Sequence, residues 1–301
     1  MITFQKLYED SSVASLRSSI LEHQVENGRT YHSIRNRRLI ISNNCLQREN
    51  DRLDFQHRIW QISLDEELAL APGHKTAKRV LDIGTGTGIW AIDYGTCISL
   101  HEVIGVDLSP IQPEWAPPNC RFEIDDVEKD WTWTEPFDFI FCRGMTSCFA
   151  DPAKIAESCY KALTPGGWLE FGELIMPLGC DDDTVPADSH LRRWHELATE
   201  AAEKLGRPMK GLAHHTKEME EMGFVNITAK DLIWPLNSWP KDEKLSEIGK
   251  WQYVNLDSGL EAMSMALLTR AFDWSKEEVL ALCAHVRKDL KNKGMHAYWN
   301  M

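Results

Sequence analysis

An α/β fold built on a parallel sheet with crossover helices is what this sequence predicts, and three observations predict it. Between residues 79 and 174 the short apolar runs RVLDIG, EVIGVD, CRFEID, FDFIFCRG and GWLEFGEL alternate with helical or loop-like stretches such as IWAIDYGTCISL and PAKIAESCYKAL. Parallel neighbours cannot be joined by a tight hairpin, so this alternation reads as strands linked by crossovers. The first run ends in three alternating glycines, Gly84, Gly86 and Gly88, which mark a turn from a strand into a helix. The 301 residues, 43% of them hydrophobic, suffice for one large core or for a core domain with a smaller appendage.

Taken in order, residues 1–78 lack the alternation and are rich in Arg, Gln, Asn, Glu and long apolar side chains. In NDRLDFQHRIWQISLDEELAL, Leu53, Ile59, Trp60 and Leu64 fall on one helical face, which predicts a helical N-terminal cap or lid. The main domain then runs over 79–301. A helical insertion at about 186–210 interrupts it after the fifth strand, where DSHLRRWHELATEAAEKLG opens with a capping Asp188 and closes on Gly206. A helix near 214–222, its start capped by His214 and His215, precedes a sixth strand near 225–234, and 241–292 is again mostly helical.

Charge and composition exclude several classes. A formal charge of −13 opposes phosphate binding by any basic face, so nucleic acid is not expected as a partner. The N-terminus has neither a basic n-region nor an apolar h-region, and no apolar run reaches the ~18 residues of a membrane span. A cytoplasmic protein is expected, or a nuclear one if its role is regulatory. The eight cysteines are scattered without a C-x-x-C pair or zinc-ligand spacing, so they read as reduced, mostly buried thiols, and no metal is expected.

The glycine turn brings backbone N–H groups and a helix N-terminus against something polar or anionic. Its spacing alone is ambiguous. Gly86-x-Gly88-x-x-Ala91 is a legal variant of the dinucleotide fingerprint, and Asp107, 19 residues beyond Gly88, stands where a ribose-binding acid belongs in either a nicotinamide or a nucleoside site. Three features tilt the reading. Asp82, two residues before Gly84, suits an ammonium better than a pyrophosphate; Asp125 and Asp126 close the third strand where an adenine amino group needs an acceptor; and nothing basic is placed to balance two phosphates. A ligand with a ribose, an adenine and a zwitterionic amino acid is S-adenosylmethionine.

VLDIGTGTGIWAID, VIGVDLSPIQPEWAPPNCRFEIDDVEKDWTW, FDFIFCRG and LTPGGWLEFGE resemble the class I methyltransferases, and specifically the fungal LaeA-like methyltransferases of secondary metabolism. The likeness continues in GRTYH, DRLDFQH, EKLGRPM, WPKDEKLSEIGKW and LTRAFDWSKEEV, and so spans roughly residues 28 to 300. It implies a Rossmann-like sheet with helices on both faces and an S-adenosylmethionine-dependent methyltransferase. By position it implies that Gly84, Thr85, Gly86 and Gly88 receive the methionine portion with Asp82 nearby, and that Asp107 takes the ribose hydroxyls. Leu108 would pack on the adenine, Asp126 and Val127 would read its edge, Arg143 would line cofactor and acceptor, and Tyr31 with His32 would belong to a lid over the cofactor.

No catalytic residue is assigned; His32 and His195 are candidates for a base, and one or two of Trp131, Trp133, Trp194, Trp234 and Trp239 are candidates for acceptor walls. The acceptor is expected to be a small molecule. The alternative is a regulatory subunit with a protein partner, which methylates a protein or does not methylate. Relatives of this kind continue beyond GMHAYWNM with a further strand, so the last strand is expected to be truncated, leaving its neighbours with unpaired backbone.

Overall fold

The computed structural model describes residues 23–27, 29–32, 46–98 and 102–301, with the backbone alone at 23–26, 29–32, 46–47 and 212–213. Two short strands, β1 (His23–Glu26) and β2 (Arg29–His32), pair antiparallel. Helix α1 (Leu46–Ser63) follows, then β3 (Arg79–Ile83), α2 (Ile89–Cys97), β4 (Glu102–Asp107), β5 (Cys120–Ile124) and β6 (Phe137–Arg143). Next come α3 (Pro152–Ala162), β7 (Leu163–Gly172) and β8 (Ile175–Gly179), and after them α4 (His190–Lys204) and α5 (Thr216–Met222). The chain closes through β9 (Ile233–Pro235), α6 (Glu243–Phe272), α7 (Lys276–Lys291) and β10 (Tyr298–Asn300).

The central sheet is parallel, in the order β5-β4-β3-β6-β7. Its middle strands carry unbroken apolar runs because both faces are covered: Val80, Leu81, Ile83, Val103, Ile104 and Val106 are fully buried. One face packs on α3 through Ile155 and Cys159, and the other on α2 through Trp90 and Tyr94. Trp90 stacks on Phe141 at 3.9 Å and Tyr94 at 4.8 Å, which fixes α2 against the strand that carries Arg143.

A second sheet orders β8-β10-β9, all antiparallel. The last strand is short, only three residues, but Tyr298, Trp299 and Asn300 lie between two neighbours, and Leu232 and Met301 exchange both backbone hydrogen bonds at 2.9 Å. YWN itself thus pairs β8 and β9, while β7 stays at the edge of the central sheet among the described residues. The sixth strand is correspondingly shorter than 225–234. Only Ile233–Pro235 has a partner in register, and Val225 and Ile227, whose alternation suggested a strand, are exposed. Ser189 rather than Asp188 caps α4, accepting from the Arg192 N–H, and neither His214 nor His215 makes a side-chain cap to α5.

Helix α1 joins the two ends of the chain. Trp60 meets Trp234 edge-on at 4.8 Å, the Trp234 indole donates to Ser63 Oγ at 2.9 Å, and Arg52 donates to Asn255 Oδ1 at 3.0 Å on α6. Gly259 makes that last approach possible, since a Cβ there would stand 2.5 Å from Arg52 Cδ. Ile59, Trp60 and Leu64 are core residues as their shared face requires, whereas Leu53 lines a cavity. Seven cysteines of the described residues are free thiols; Cys45 lies outside them. Among the described residues no helix is long and apolar enough to cross a membrane, and no cluster of three His, Cys, Asp or Glu could hold a metal.

Candidate active site

The carboxyl ends of the central strands stand in register, Ile83 beside Val106 and Cys142, Asp107 beside Ile124 and Arg143 beside Gly172. Strand order reverses at β3, which is where open α/β sheets place their ligand crevice. A cavity of 360 Å³ opens there and continues into the helical layer.

The glycine turn forms part of its wall. Gly84 has φ +71°, and a Cβ on it would lie 2.3 Å from Met145 Sδ; Gly88 has φ +80°, and a Cβ there would lie 2.4 Å from the Phe122 ring. Both positions demand glycine for the left-handed backbone, and at Gly88 the Phe122 ring adds a close neighbour. The bare backbone is what lets Met145 and Phe122 reach the turn while Gly84 and Gly86 stay open to the cavity.

Asp107 is the hub of the turn. Its Oδ2 accepts the Gly86 N–H and its Oδ1 the Ser109 N–H, each at 2.9 Å, so one carboxylate ties the β3 turn to the β4 loop. Burial raises its pKa, against the lowering effect of the Ser109, Gly86 and Leu108 amides. Gln112 adds a clamp by donating to the Gly86 and Ser109 carbonyls at 2.7 and 2.9 Å.

Beneath the turn lies Asp82, 3% exposed, accepting the Thr85 hydroxyl at 2.6 Å. Burial pushes its pKa up to about 7, with the Thr85 bond and the Arg143 charge pulling it back. Asp82 and Thr85, expected beside the methionine portion, do not line the cavity. The pair supports the turn from below, and Asp82 supplies countercharge to Arg143.

Arg143 lines the cavity from the end of β6. Burial lowers its pKa to about 10, while Asp82, Glu170 and Asp93 hold it charged. It donates to His57 Nδ1 at 2.7 Å, and His57 Nε2 meets Asp93 Oδ2 at 3.0 Å. Because a guanidinium only donates, Nδ1 must be the acceptor, and the imidazole proton sits on Nε2 facing Asp93. His57 is 3% exposed and its pKa is lowered chiefly by burial, which keeps that ring neutral. This file of three side chains is not legible in the sequence, because His57 and Asp93 belong to different helices, 36 residues apart.

From above, α1 contributes Glu49, Arg52, Leu53 and Gln56 to the lining, spaced to fall on one helical face, and Thr87 Oγ1 donates to Asp54 Oδ1 at 2.9 Å to dock the helix on the glycine turn. The 49, 52, 53, 56 spacing was readable in the sequence, but nothing local said what that face would cover. The side chains of Tyr31 and His32, assigned to a lid, lie outside the described residues.

The inner part of the cavity is walled differently. Met176 and Trp194, Ala198 and Met209, Trp234, Met263 and Leu267, and Trp299 with Met301 come from β8, α4, the loop after it, β9, α6 and the chain end. Trp194 and Trp234 are two of the five tryptophans put forward as acceptor walls; Trp131, Trp133 and Trp239 are not in the lining, and Trp299 is an addition. His195 also lines this part. Its Nε2 receives the Trp299 indole N–H at 2.6 Å, and burial pushes its pKa down to about 4. Indole only donates, so Nε2 is occupied as an acceptor and the ring proton is on Nδ1. As a base His195 is disfavoured by both facts, which corrects the sequence expectation.

Of the residues assigned to the cofactor, the structure thus gathers Gly84, Gly86, Asp107, Leu108, Asp126, Val127 and Arg143 around one cavity. Asp82 and Thr85 lie below it, Gly88 serves the turn through Phe122, and Tyr31 is not placed.

Residues 55–229 match a family model described as a methyltransferase domain. The chain is 41% identical over 292 residues to the methyltransferase pytC of Aspergillus terreus, covering 97% of the chain and 90% of the relative. It is 37% identical over 285 residues to the secondary metabolism regulator LAE1 of Cochliobolus heterostrophus, covering 92% of each. To the protein-methionine methyltransferase laeA of Emericella nidulans it is 34% identical over 278 residues, covering 91% of the chain and 73% of the relative.

Proposed function

We propose that this chain, which belongs to the S-adenosylmethionine-dependent class I methyltransferases and within them to the LaeA-like fungal kind, methylates a small apolar molecule held in the methionine- and tryptophan-walled part of its cavity. The observation that carries this reading is the wall itself. Trp234 is fully buried, Leu267, Trp194 and Met301 are each less than a tenth exposed, and all four line the cavity, so an acceptor must enter the helical layer rather than lie on a surface groove.

The strand-end residues fit the cofactor. The Asp107 carboxylate, held by backbone amides, can accept from ribose hydroxyls, and Leu108 and Val127 offer apolar contact on adjacent strand ends where Asp126 can take an amino group. The open backbone at Gly84 and Gly86, with the Arg143 guanidinium, receives an amino-acid moiety. When bound, the cofactor supplies a methyl group on a cationic sulfur, already a strong electrophile.

What remains for the protein is alignment and exclusion of water. Helix α1, docked by the Thr87 bond to Asp54 and the Arg52 bond to Asn255, roofs the strand ends, and α4 and α6 close the inner part with Trp194 and Met263. His57 and Asp93 hold the Arg143 guanidinium toward the cavity. Tyr31 is kept in this reading as a lid residue on the family resemblance alone.

The test is incubation of the purified protein with methyl-labelled cofactor and a fungal metabolite extract. Label in organic-extractable compounds is the expected result. Label confined to precipitable protein would favour the protein acceptor that the name of the Emericella relative carries.

A further inference from the structure

The inner part of the cavity offers hydrogen-bond donors but, among the described residues, no free base. All three indole N–H groups are committed elsewhere: Trp194 to Ser264 Oγ at 2.8 Å, Trp234 to Ser63 Oγ at 2.9 Å and Trp299 to His195 Nε2 at 2.6 Å. The rings therefore present only their faces and edges. The thioethers of Met176, Met209, Met263 and Met301 fill the spaces between, a soft and polarizable lining that suits a flat unsaturated ring system.

Two polar groups interrupt this lining. His195 has Nε2 occupied by the indole donor, which leaves its Nδ1–H to donate. Arg207, 2% exposed and also in the lining, directs Nη1 to both Glu128 oxygens at 3.0 and 3.1 Å and to the Cys148 carbonyl, while its Nη2 has no hydrogen-bond partner. That Nη2 is closed off from the cavity, so Arg207 bears on this part through its charge and not through a free N–H.

The carboxylates that line the cavity do not serve as bases here. Glu49 is paired with Arg52 at 2.7 Å and Glu128 with Arg207 at 3.0 Å, while Asp107, Asp125 and Asp126 belong to the strand ends assigned to the cofactor, Asp125 Oδ1 accepting the Asp126 N–H at 2.7 Å. The Cys148 thiol is pushed up to about 12 by burial and stays protonated.

We infer that the acceptor brings its own nucleophile already ionised: an acidic oxygen, a carboxylate or the enolate of a vinylogous acid, carried on a flat, unsaturated, apolar skeleton, with the oxyanion received by His195 Nδ1–H. This inference rests on the methyltransferase reading above. In the transfer the oxyanion lone pair forms the new O–C bond, the pair of the broken S–C bond stays on sulfur as a neutral thioether, and no proton has to leave through the protein. Anion and sulfonium cancel, so a dry chamber without a base is sufficient.

The experiment is a calorimetric titration on the full chain. S-adenosylhomocysteine is titrated first; if it does not bind, the methyltransferase reading itself fails. With that ligand saturating, 4-hydroxycoumarin and 1-naphthoic acid are compared at neutral pH with their uncharged counterparts, coumarin and 1-methylnaphthalene. At least one anion should bind about tenfold or more tightly than its neutral counterpart, and the preferred one tells enolate from carboxylate.

His195→Met retains a weak thioether acceptor for the Trp299 indole and has no N–H to donate. It should lower the anion's affinity about tenfold and leave that of the neutral probe within about twofold. A purely structural role would move both probes together. A smaller anion preference in the wild-type protein, binding of neither anion, or an undiminished preference in His195→Met overturns the inference while the cofactor titration stands.

Discussion

Replacing Asp107 with alanine perturbs two things that the structure allows to be separated. Without any ligand, the substitution leaves the Gly86 and Ser109 N–H groups, now 2.9 Å from the carboxylate, with no acceptor. Hydrogen bonds to a charged partner are worth about 1.5–3 kcal/mol each, and water recovers part of the loss at this half-buried turn, so the ligand-free protein should lose about 2–4 kcal/mol of unfolding free energy. The same carboxylate is the acceptor assigned to the ribose hydroxyls. Its removal should weaken S-adenosylhomocysteine by a further ~1–3 kcal/mol, roughly tenfold to a hundredfold. Urea unfolding without ligand reads the first quantity and calorimetry of the folded variant reads the second. Asp107→Asn keeps one acceptor oxygen and should fall about midway in both. Wild-type affinity in a destabilised Asp107→Ala protein would refute the ribose assignment, and unchanged stability would refute the role of the carboxylate in tying the turn to the β4 loop.

Three further outcomes follow from buried groups and the turn. Because burial takes His195 down from 6.5 to about 4, the unfolded chain binds a proton below pH 6.5 that the folded site refuses. Its stabilising contribution is complete above pH 6.5 and is lost as pH falls toward 4, by up to about 3 kcal/mol, and urea titrations of His195→Gln should show a flatter slope across that window. Asp82 acts with the opposite sign: its folded pKa stands at about 7 against 3.8, so its contribution is favourable at low pH and is lost as pH rises through that interval. Asp82→Asn, which still accepts from Thr85, should therefore gain on the order of 2 kcal/mol at pH 8 relative to pH 4, and a gain independent of pH would contradict the buried-carboxylate argument. Gly88→Ala meets both a φ of +80° and the Phe122 ring at 2.4 Å; we expect a loss of about 2–4 kcal/mol in denaturant melts, and a loss below ~1 kcal/mol would show that the turn can relax.

The gathering of the strand-end residues around one cavity was legible in the sequence because its determinants are local. Each acid sits at or near the end of an apolar run, and the parallel register of β3, β4 and β5 brings the ends together whatever the rest of the chain does. The inner half was not legible for the converse reason. Trp194, Met263 and Trp299 come from elements that have no sequence proximity, and α6 buries Gln252, Asn255 and Ser264 among Leu256, Leu260 and Leu267, so its polar and apolar residues do not sort into a readable stripe. The over-long sixth strand has a similar cause: VNITAKDLIW alternates as a strand should, but β10 offers partners only to its last residues. In the same way, the proton placement on His195 and His57 depends on the donors Trp299 and Arg143, each more than 80 residues away in sequence.

The most direct test of the central claim is a crystal structure of the protein with S-adenosylhomocysteine bound. The account predicts ribose hydroxyls within hydrogen-bonding distance of Asp107, the adenine against Leu108 and Val127, and the sulfur facing the chamber of Trp194, Trp234 and Met263. An adenine lodged among those tryptophans and methionines, with Asp107 left to Gly86 and Ser109 alone, would contradict it.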